Sequence, residues 1–210
     1  GERFRSSLLS SMSHDLKTPL ATITGAISSL RQLGDRMKPE TRDDLLATIE
    51  EESDQLTRFL GNLLDMTKIE AGVVNAKREW LDVSDVINIA VDRARRYYPG
   101  YTIDRFIAAD LPLVLGDSVL LGQVLFNLID NAIKYGHGAH LSIEDHADNL
   151  KLIVEDKGPG IPPEELTRVA EPYYRPDASR SHETGGVGLG LSIVTDIARL
   201  HGGELILANR

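Results

Sequence analysis

The sequence contains no cysteine, which excludes disulfide staples, thiolate metal ligands and thiol nucleophiles together. The absence fits a reducing compartment such as the cytoplasm. Long apolar runs are missing too: none approaches the roughly 20 residues a membrane-spanning helix requires. Positive charge is in short supply. Lys and Arg number 23 against 32 Asp and Glu, a formal net charge of −9. Nucleic-acid binding is driven by Lys and Arg neutralising phosphates, so that balance disfavours it. A small basic pocket for a nucleotide is still compatible with it. No internal repeat or low-complexity tract is apparent.

What is present suits one or two compact domains: 210 residues, 41% hydrophobic and 26% charged. The first residues already lie inside a helical pattern, so an upstream portion is expected. Residues 2–33 read as one long helix, with Leu9, Met12, Leu16, Leu20, Ile23, Ile27 and Leu30 stepping by three and four along a heptad-like seam. Gly34 and residues 35–39 form a turn. Thr41 to Glu70 reads as a second helix, with Leu45, Ile49, Leu56, Leu60, Leu63 and Met66 on its apolar face and Gly72 as a stop. A helical hairpin alone buries too little surface, so a second copy is expected to complete a four-helix bundle; packing on the rest of the same chain is the alternative. From about Lys77 the pattern changes. Short β-like runs ("REWLDV", "TIDRFIA", "AHLSIEDH", "LKLIVED", "GELILAN") alternate with helical patterns near 83–97, 117–135 and 188–201. This predicts a two-layer α/β domain with a mostly antiparallel sheet, including a hairpin turning at Ala-Asp-Asn. Residues 161–188 show no convincing element, and long loops of this kind often act as lids.

Three stretches carry polar groups in patterns that core packing does not require. In "LLGQVLFNLIDNAIKYG" (120–136), Gln123, Asn127, Asp130, Asn131, Lys134 and Tyr135 share one arc, opposite Leu121, Leu125, Leu128, Ile129, Ala132 and Ile133. Asn carbonyls suit a hard cation such as Mg²⁺, and a neighbouring Lys suits a phosphate oxygen. A solvated helix face would show the same division. In "EDKGPGIP" (155–162), Gly158 and Gly160 permit close backbone approach, and Asp156 ends a strand, where a carboxylate can accept from an exocyclic amine such as adenine's. A plain Gly-Pro turn is the alternative. "GGVGLGLSIV" (185–194) runs from loop into helix, where exposed N–H groups favour phosphate. It lacks the Lys-Ser/Thr of a Walker loop, and no strand immediately precedes it as in a dinucleotide-binding fold.

The opening helix adds a fourth feature. In "SSMSHDLKTPLATI" (10–23), His14 lies about 160° around the helix from both Met12 and Leu16, away from the seam. Asp15 is beside it, Thr18 is one turn on, and Pro19 removes a backbone donor and bends the helix. Exposed histidines are common, so the position alone is ordinary.

Taken together and in this order, the motifs resemble the catalytic core of sensor histidine kinases of two-component systems. "SHDLKTPL" (13–20) is similar to the H box, "NLIDNAIKY" (127–135) to the N box, "DKGPGI" (156–161) to the G1 box, "EPYYR" (171–175) to the F box and "GVGLGL" (186–191) to the G2 box. The stretches "SSLLSSMSHDLKTPLATITGAISSL" and "NLLDMTKIEAG" resemble the KdpD subfamily. Two features depart from the pattern. Tyr173 stands where the F box usually carries Phe, and the chain ends at "ELILANR", short of the usual last strand.

The resemblance implies a dimerisation and phosphotransfer hairpin over residues 1–72. It implies an ATP-binding α/β sandwich of the gyrase B/Hsp90 type over 73–210. ATP would phosphorylate His14, a nucleophile when neutral, with Asp15 as general base. Thr18 would orient water for dephosphorylating a partner regulator. Asn131 and Asn127 would hold Mg²⁺, Lys134 would contact phosphate and Tyr135 would line the pocket. Asp156 would bind adenine beside Gly158 and Gly160. Gly186, Gly188 and Gly190 would approach the phosphates, and Arg175 and Arg180 would neutralise charge from the lid. The implied partners are a second copy and a response-regulator receiver domain acting in trans. The implied setting is the cytoplasmic portion of a protein anchored in the bacterial inner membrane. A clamp-type ATPase without histidine transfer, and a degenerate scaffold without ATP binding, are the competing readings.

Overall fold

The computed structural model describes the backbone of residues 2–70, 76–108, 110–175 and 188–209, with side chains in the first helix from Leu16 onward. The chain forms two compact units, one ending at Asp65 and the other starting at Met66.

The first unit is built from α1 (Glu2–Leu33), one 3₁₀ turn (Gly34–Arg36) and most of α2 (Pro39–Glu70). Pro39 opens α2, where its missing N–H costs nothing and its fixed φ suits the first turn. Pro19 sits inside α1, which continues through it. Having no N–H, Pro19 cannot bond the carbonyl of Asp15. Two threonines bond back to carbonyls around it: Thr22 Oγ1 donates to Thr18 O at 3.2 Å and Thr24 Oγ1 to Leu20 O at 2.7 Å. Such back-bonding favours a bent helix. Pro19, Ala26 and Phe59 are buried. The expected seam is partly open in a single copy: Leu20 is 51% exposed, Ile27 43% and Leu60 47%, the other described seam residues are half-buried or buried, and Leu33, Leu46 and Leu64 outside it are exposed.

The second unit contains β1 (Glu79–Leu81), α3 (Val83–Tyr97), β2 (Thr102–Phe106), β3 (Val114–Gly116), α4 (Ser118–Gly136), β4 (Gly138–Asp145), β5 (Leu150–Glu155) and α5 (Gly190–Leu200). Asp82 and Asp117 cap α3 and α4 by accepting from N–H groups of their first turns. In α3, Val83, Val86, Ile87, Ala90, Val91 and Ala94 recur at helical spacing, and all are buried. They meet Leu125, Ile129 and Ile133 of α4 and Ile103 and Leu141 of the sheet in one core. Burying a side chain such as Ile87 or Ile129 contributes about 1.5–3 kcal/mol.

Two of the three strand pairings among the described residues are antiparallel, as expected, and the exception is β2 with β4. β1 and β3 form a separate antiparallel ribbon, and the larger sheet runs β2-β4-β5 with β2 and β4 parallel. The cause is α4: a helix between two paired strands makes a crossover, which returns the chain in the same direction. The expected hairpin is present as β4–β5, antiparallel from His140↔Glu155 to Asp145↔Leu150, with reciprocal His146–Asn149 backbone bonds around Ala147-Asp148. The expected strand at "GELILAN" is a departure. Residues 203–209 form no strand, because their backbone joins no ladder among the described residues. Asn209 anchors this segment instead, accepting from Ile161 N at 2.9 Å and donating to Ile161 O at 2.6 Å. Residues 161–175 turn repeatedly without helix or strand, as the sequence suggests.

Candidate nucleotide site and phospho-acceptor helix

The polar arc of α4 is not a solvated face throughout. Asn127 is buried at 6% exposure, and no hydrogen bond satisfies its Nδ2 among the described residues. A buried amide donor without a partner is costly and marks a place where something else is meant to bind. Gly190, the first residue of α5, lies against the same arc: a Cβ there would meet Asn131 Nδ2 at 3.5 Å and Asn127 Cβ at 4.0 Å. The free N–H groups at the start of α5 are thereby set beside two amide side chains, an arrangement suited to phosphate oxygens and a hard cation.

The other end of α4 meets the strand-end loop. A Cβ on Gly136 would fall 2.3 Å from Asp156 Cβ, and one on Gly158 would fall 2.6 Å from Tyr135 O, so only glycine allows this approach. Asp156 Oδ1 accepts from Gly158 N at 2.7 Å, which fixes the carboxylate at the rim. Gly160 adopts φ +77° against Asn209, and the half-exposed Tyr135 flanks the same loop. Sequence reasoning missed Gly136, although a glycine closing a helix beside a functional loop is a readable signal.

Gly188 brings the fourth motif in. Its φ is +72°, and a Cβ would lie 2.7 Å from Tyr174 O. Its carbonyl accepts from Tyr173 N at 2.9 Å, and Tyr173 itself sits at φ +64°. The departure from Phe at this position therefore keeps a backbone tie to the glycine loop. Tyr174 OH donates to Glu165, and Arg168 lies 4.2 Å from the Tyr174 ring centroid. Arg175 is half-buried at the end of this stretch.

Lys134 is also tied within the domain. Its ammonium donates to Asp130 Oδ2 at 2.6 Å, and Asp130 Oδ1 accepts from Tyr98 OH at the end of α3. Lys134 is thus held by an i−4 carboxylate inside a network joining α3 to α4. Tyr98 gave no signal in the sequence.

At the far end of α4, Asp117 Oδ1 accepts from Val119 N and Leu120 N, and Oδ2 accepts from Lys77 N at 2.9 Å. Burial works to raise the Asp117 pKa, but the hydrogen bonds from the N–H groups of Leu120, Lys77 and Val119 outweigh it and hold it below the ordinary carboxylate value.

His14 and Asp15 lie on the helical backbone of α1, with their side chains outside the described residues, as are Leu9 and Met12 of the expected seam. Thr18 is described and exposed, one turn beyond His14. Arg180, Gly186 and the stop at Gly72 fall outside the described residues. Among the described residues no group of three His, Asp or Glu could hold a metal ion. No described helix is long and apolar enough to cross a membrane.

Comparison with known proteins agrees with these motifs. The family model for the His Kinase A (phospho-acceptor) domain matches residues 4–72. That for the histidine kinase-, DNA gyrase B- and HSP90-like ATPase matches residues 116–210. The sensor protein KdpD of Clostridium acetobutylicum is 34% identical over 212 residues, covering 100% of this chain and 24% of that protein. The signal transduction histidine-protein kinase/phosphatase MprB of Mycolicibacterium smegmatis is 36% identical over 94% of this chain and 41% of its own length. Among solved structures, Acinetobacter baumannii histidine kinase AdeS aligns with a TM-score of 0.64 and 25% identity, over 89% of this chain and 86% of that one. The chain spans about a quarter of the length of the KdpD relatives it matches. With an α-helical phospho-acceptor segment followed by an α/β ATPase domain, the chain belongs to the sensor histidine kinases.

Proposed function

We propose that this chain is the core of a two-component histidine kinase that transfers the γ-phosphoryl group of ATP to His14 and then to an aspartate of a response regulator. The observation that carries the reading is the meeting of Asn127, Asn131 and the α5 N-terminus at Gly190, beside a loop holding Asp156. Residues 1–72 would form the dimerisation and phosphotransfer domain and 73–210 the ATP-binding domain. The open leucines of α1 and α2 support a homodimer, since a second copy would cover them. A KdpD-like sensor, anchored in the inner membrane by segments outside this sequence, is the setting the relatives support.

Asp156 accepts the exocyclic amine of adenine, and Tyr135 flanks the base. Asn131 and Asn127 would hold Mg²⁺, which when bound neutralises phosphate charge. The N–H groups at Gly188 and Gly190 meet phosphate oxygens, while Gly186, Arg175 and Arg180 belong to the lid side. Lys134, neutralised by Asp130, keeps the α4 end in place and offers its remaining donors to phosphate. In the transfer, an imidazole nitrogen of His14 forms a bond to the γ-phosphorus as the bond to the ADP oxygen breaks. The other nitrogen's proton passes to Asp15. Thr18, exposed one turn on, would orient water for hydrolysis of the phosphorylated regulator.

The test is H14A incubated with γ-labelled ATP and Mg²⁺. Loss of stable phosphoprotein with nucleotide binding intact is expected. Undiminished steady ATP turnover in H14A would instead favour a clamp-type ATPase.

A further inference from the structure

We propose that His201 is a positioning residue of the nucleotide site, acting from the far end of α5. The inference rests on the ATP-binding reading above and extends it. α4 and α5 lie antiparallel and are joined at both ends. At one end Gly190 rests on Asn131 and Asn127. At the other, Asp117 N donates to His201 Nε2 at 3.0 Å. His201 Nδ1 is 2.9 Å from Ile197 O within α5. A carbonyl only accepts and an amide N–H only donates, so Nδ1 carries the proton and Nε2 is the acceptor. The ring is therefore oriented by its own helix and presents one lone pair to the start of α4.

The partner of that lone pair is itself fixed. Asp117 caps α4 with Oδ1 and holds Lys77, which follows the segment joining the two domains, with Oδ2. Gly116, just before it, leaves room for the ring: a Cβ there would stand 3.2 Å from His201 Cδ2. Between the two joints, Ser192, Ile193, Val194 and Ile197 of α5 are buried. A helix gripped along its side by apolar contacts can still slide or rotate slightly, because dispersion contacts are non-directional. A directional hydrogen bond at its end sets the register. A slip of one ångström at His201 moves Gly190 by the same amount across a rigid helix of roughly 16 Å, and the phosphate-facing N–H groups move with it. His201 touches no substrate in this scheme; it sets where Gly190 stands relative to Asn131.

Two near-isosteric replacements separate the ring's functions. Gln places an amide oxygen at the Nε2 position and keeps the acceptor for Asp117 N–H. Asn places its amide nitrogen at the Nδ1 position and loses that acceptor. The full chain and its H201Q, H201N and H201A variants would be titrated calorimetrically with the non-hydrolysable analogue AMP-PNP and Mg²⁺, well below their melting temperatures. H201Q should stay within about threefold of the parent Kd, and H201N and H201A should weaken binding by roughly tenfold, the scale of one lost part-buried hydrogen bond. Amides in the first turn of α5 should exchange faster in H201N than in H201Q. Parent-like Kd in H201N and H201A, with lowered melting temperature alone, would overturn the inference, as would equal weakening in H201Q. A parent chain that fails to bind AMP-PNP would overturn the nucleotide reading itself.

Discussion

Asn127 gives the sharpest perturbation, because its cost to the fold and its value to the site have opposite signs. The side chain is 6% exposed and its Nδ2 has no hydrogen bond among the described residues. Leaving such a donor unsatisfied costs about 1–3 kcal/mol. Asn→Ala in a helix interior adds about 0.5 kcal/mol of propensity. Against these stands the lost packing of one small amide, about 1 kcal/mol at the area coefficient for buried surface. Asn127→Ala should therefore stabilise the nucleotide-free domain by about 0.5–2.5 kcal/mol. At roughly 4 °C per kcal/mol for a domain of this size, the melting temperature should rise by roughly 2–10 °C. Nucleotide reverses the order. At a hundred times Kd, MgATP stabilises the parent by about 2.7 kcal/mol, whereas the variant, lacking the amide, should gain little. Melting both proteins by circular dichroism, with and without AMP-PNP and Mg²⁺, checks both halves. If Asn127→Ala melts below the parent without nucleotide, or gains the same increment with it, the reasoning is wrong.

Gly188→Ala should cost about 1–2 kcal/mol for φ +72° and a further 1–3 kcal/mol for the contact with Tyr174 O; nucleotide-dependent labelling should fall at least tenfold, measured from initial rates. Asp117 has a folded pKa below its unfolded one, so its contribution is present above about pH 4 and is lost as pH falls through the folded value. Acid unfolding curves of Asp117→Asn should accordingly lie closer to its own neutral-pH stability than those of the parent do. Thr18→Ala should keep autophosphorylation within about threefold and lower the dephosphorylation of a cognate regulator at least tenfold, followed by phosphate release.

The parts of the molecule that were legible in the sequence are those written in local periodicity. The two long helices, the split faces of α4 and the β4–β5 hairpin all follow from spacing within one segment. The glycine motifs were legible because backbone approach forbids a Cβ, and Gly158 and Gly188 bear this out in contacts under 3 Å, whereas the equally tight Gly136 lies outside those motifs and was missed. The parallel pairing of β2 with β4 was not legible, since pairing direction is decided by the path of α4 and not by either strand's composition. Asn127 illustrates the same limit on the polar arc: residue type suggested a ligand, but its burial depends on α5, which is distant in sequence. The Lys134–Asp130 pair was present in the i, i+4 spacing, whereas its third member, Tyr98, comes from another helix. Asp117 and His201 are 84 residues apart and carry no periodic signal linking them. "GELILAN" reads as a strand by its short apolar run, yet a strand exists only where a neighbour completes its ladder.

The most direct measurement is the chemistry and location of the label after incubation with γ-labelled ATP and Mg²⁺. The account requires a phosphoramidate: label lost in acid, retained in base and mapped to His14 by peptide mass spectrometry. Label that survives acid, or that maps to any other residue, would contradict it.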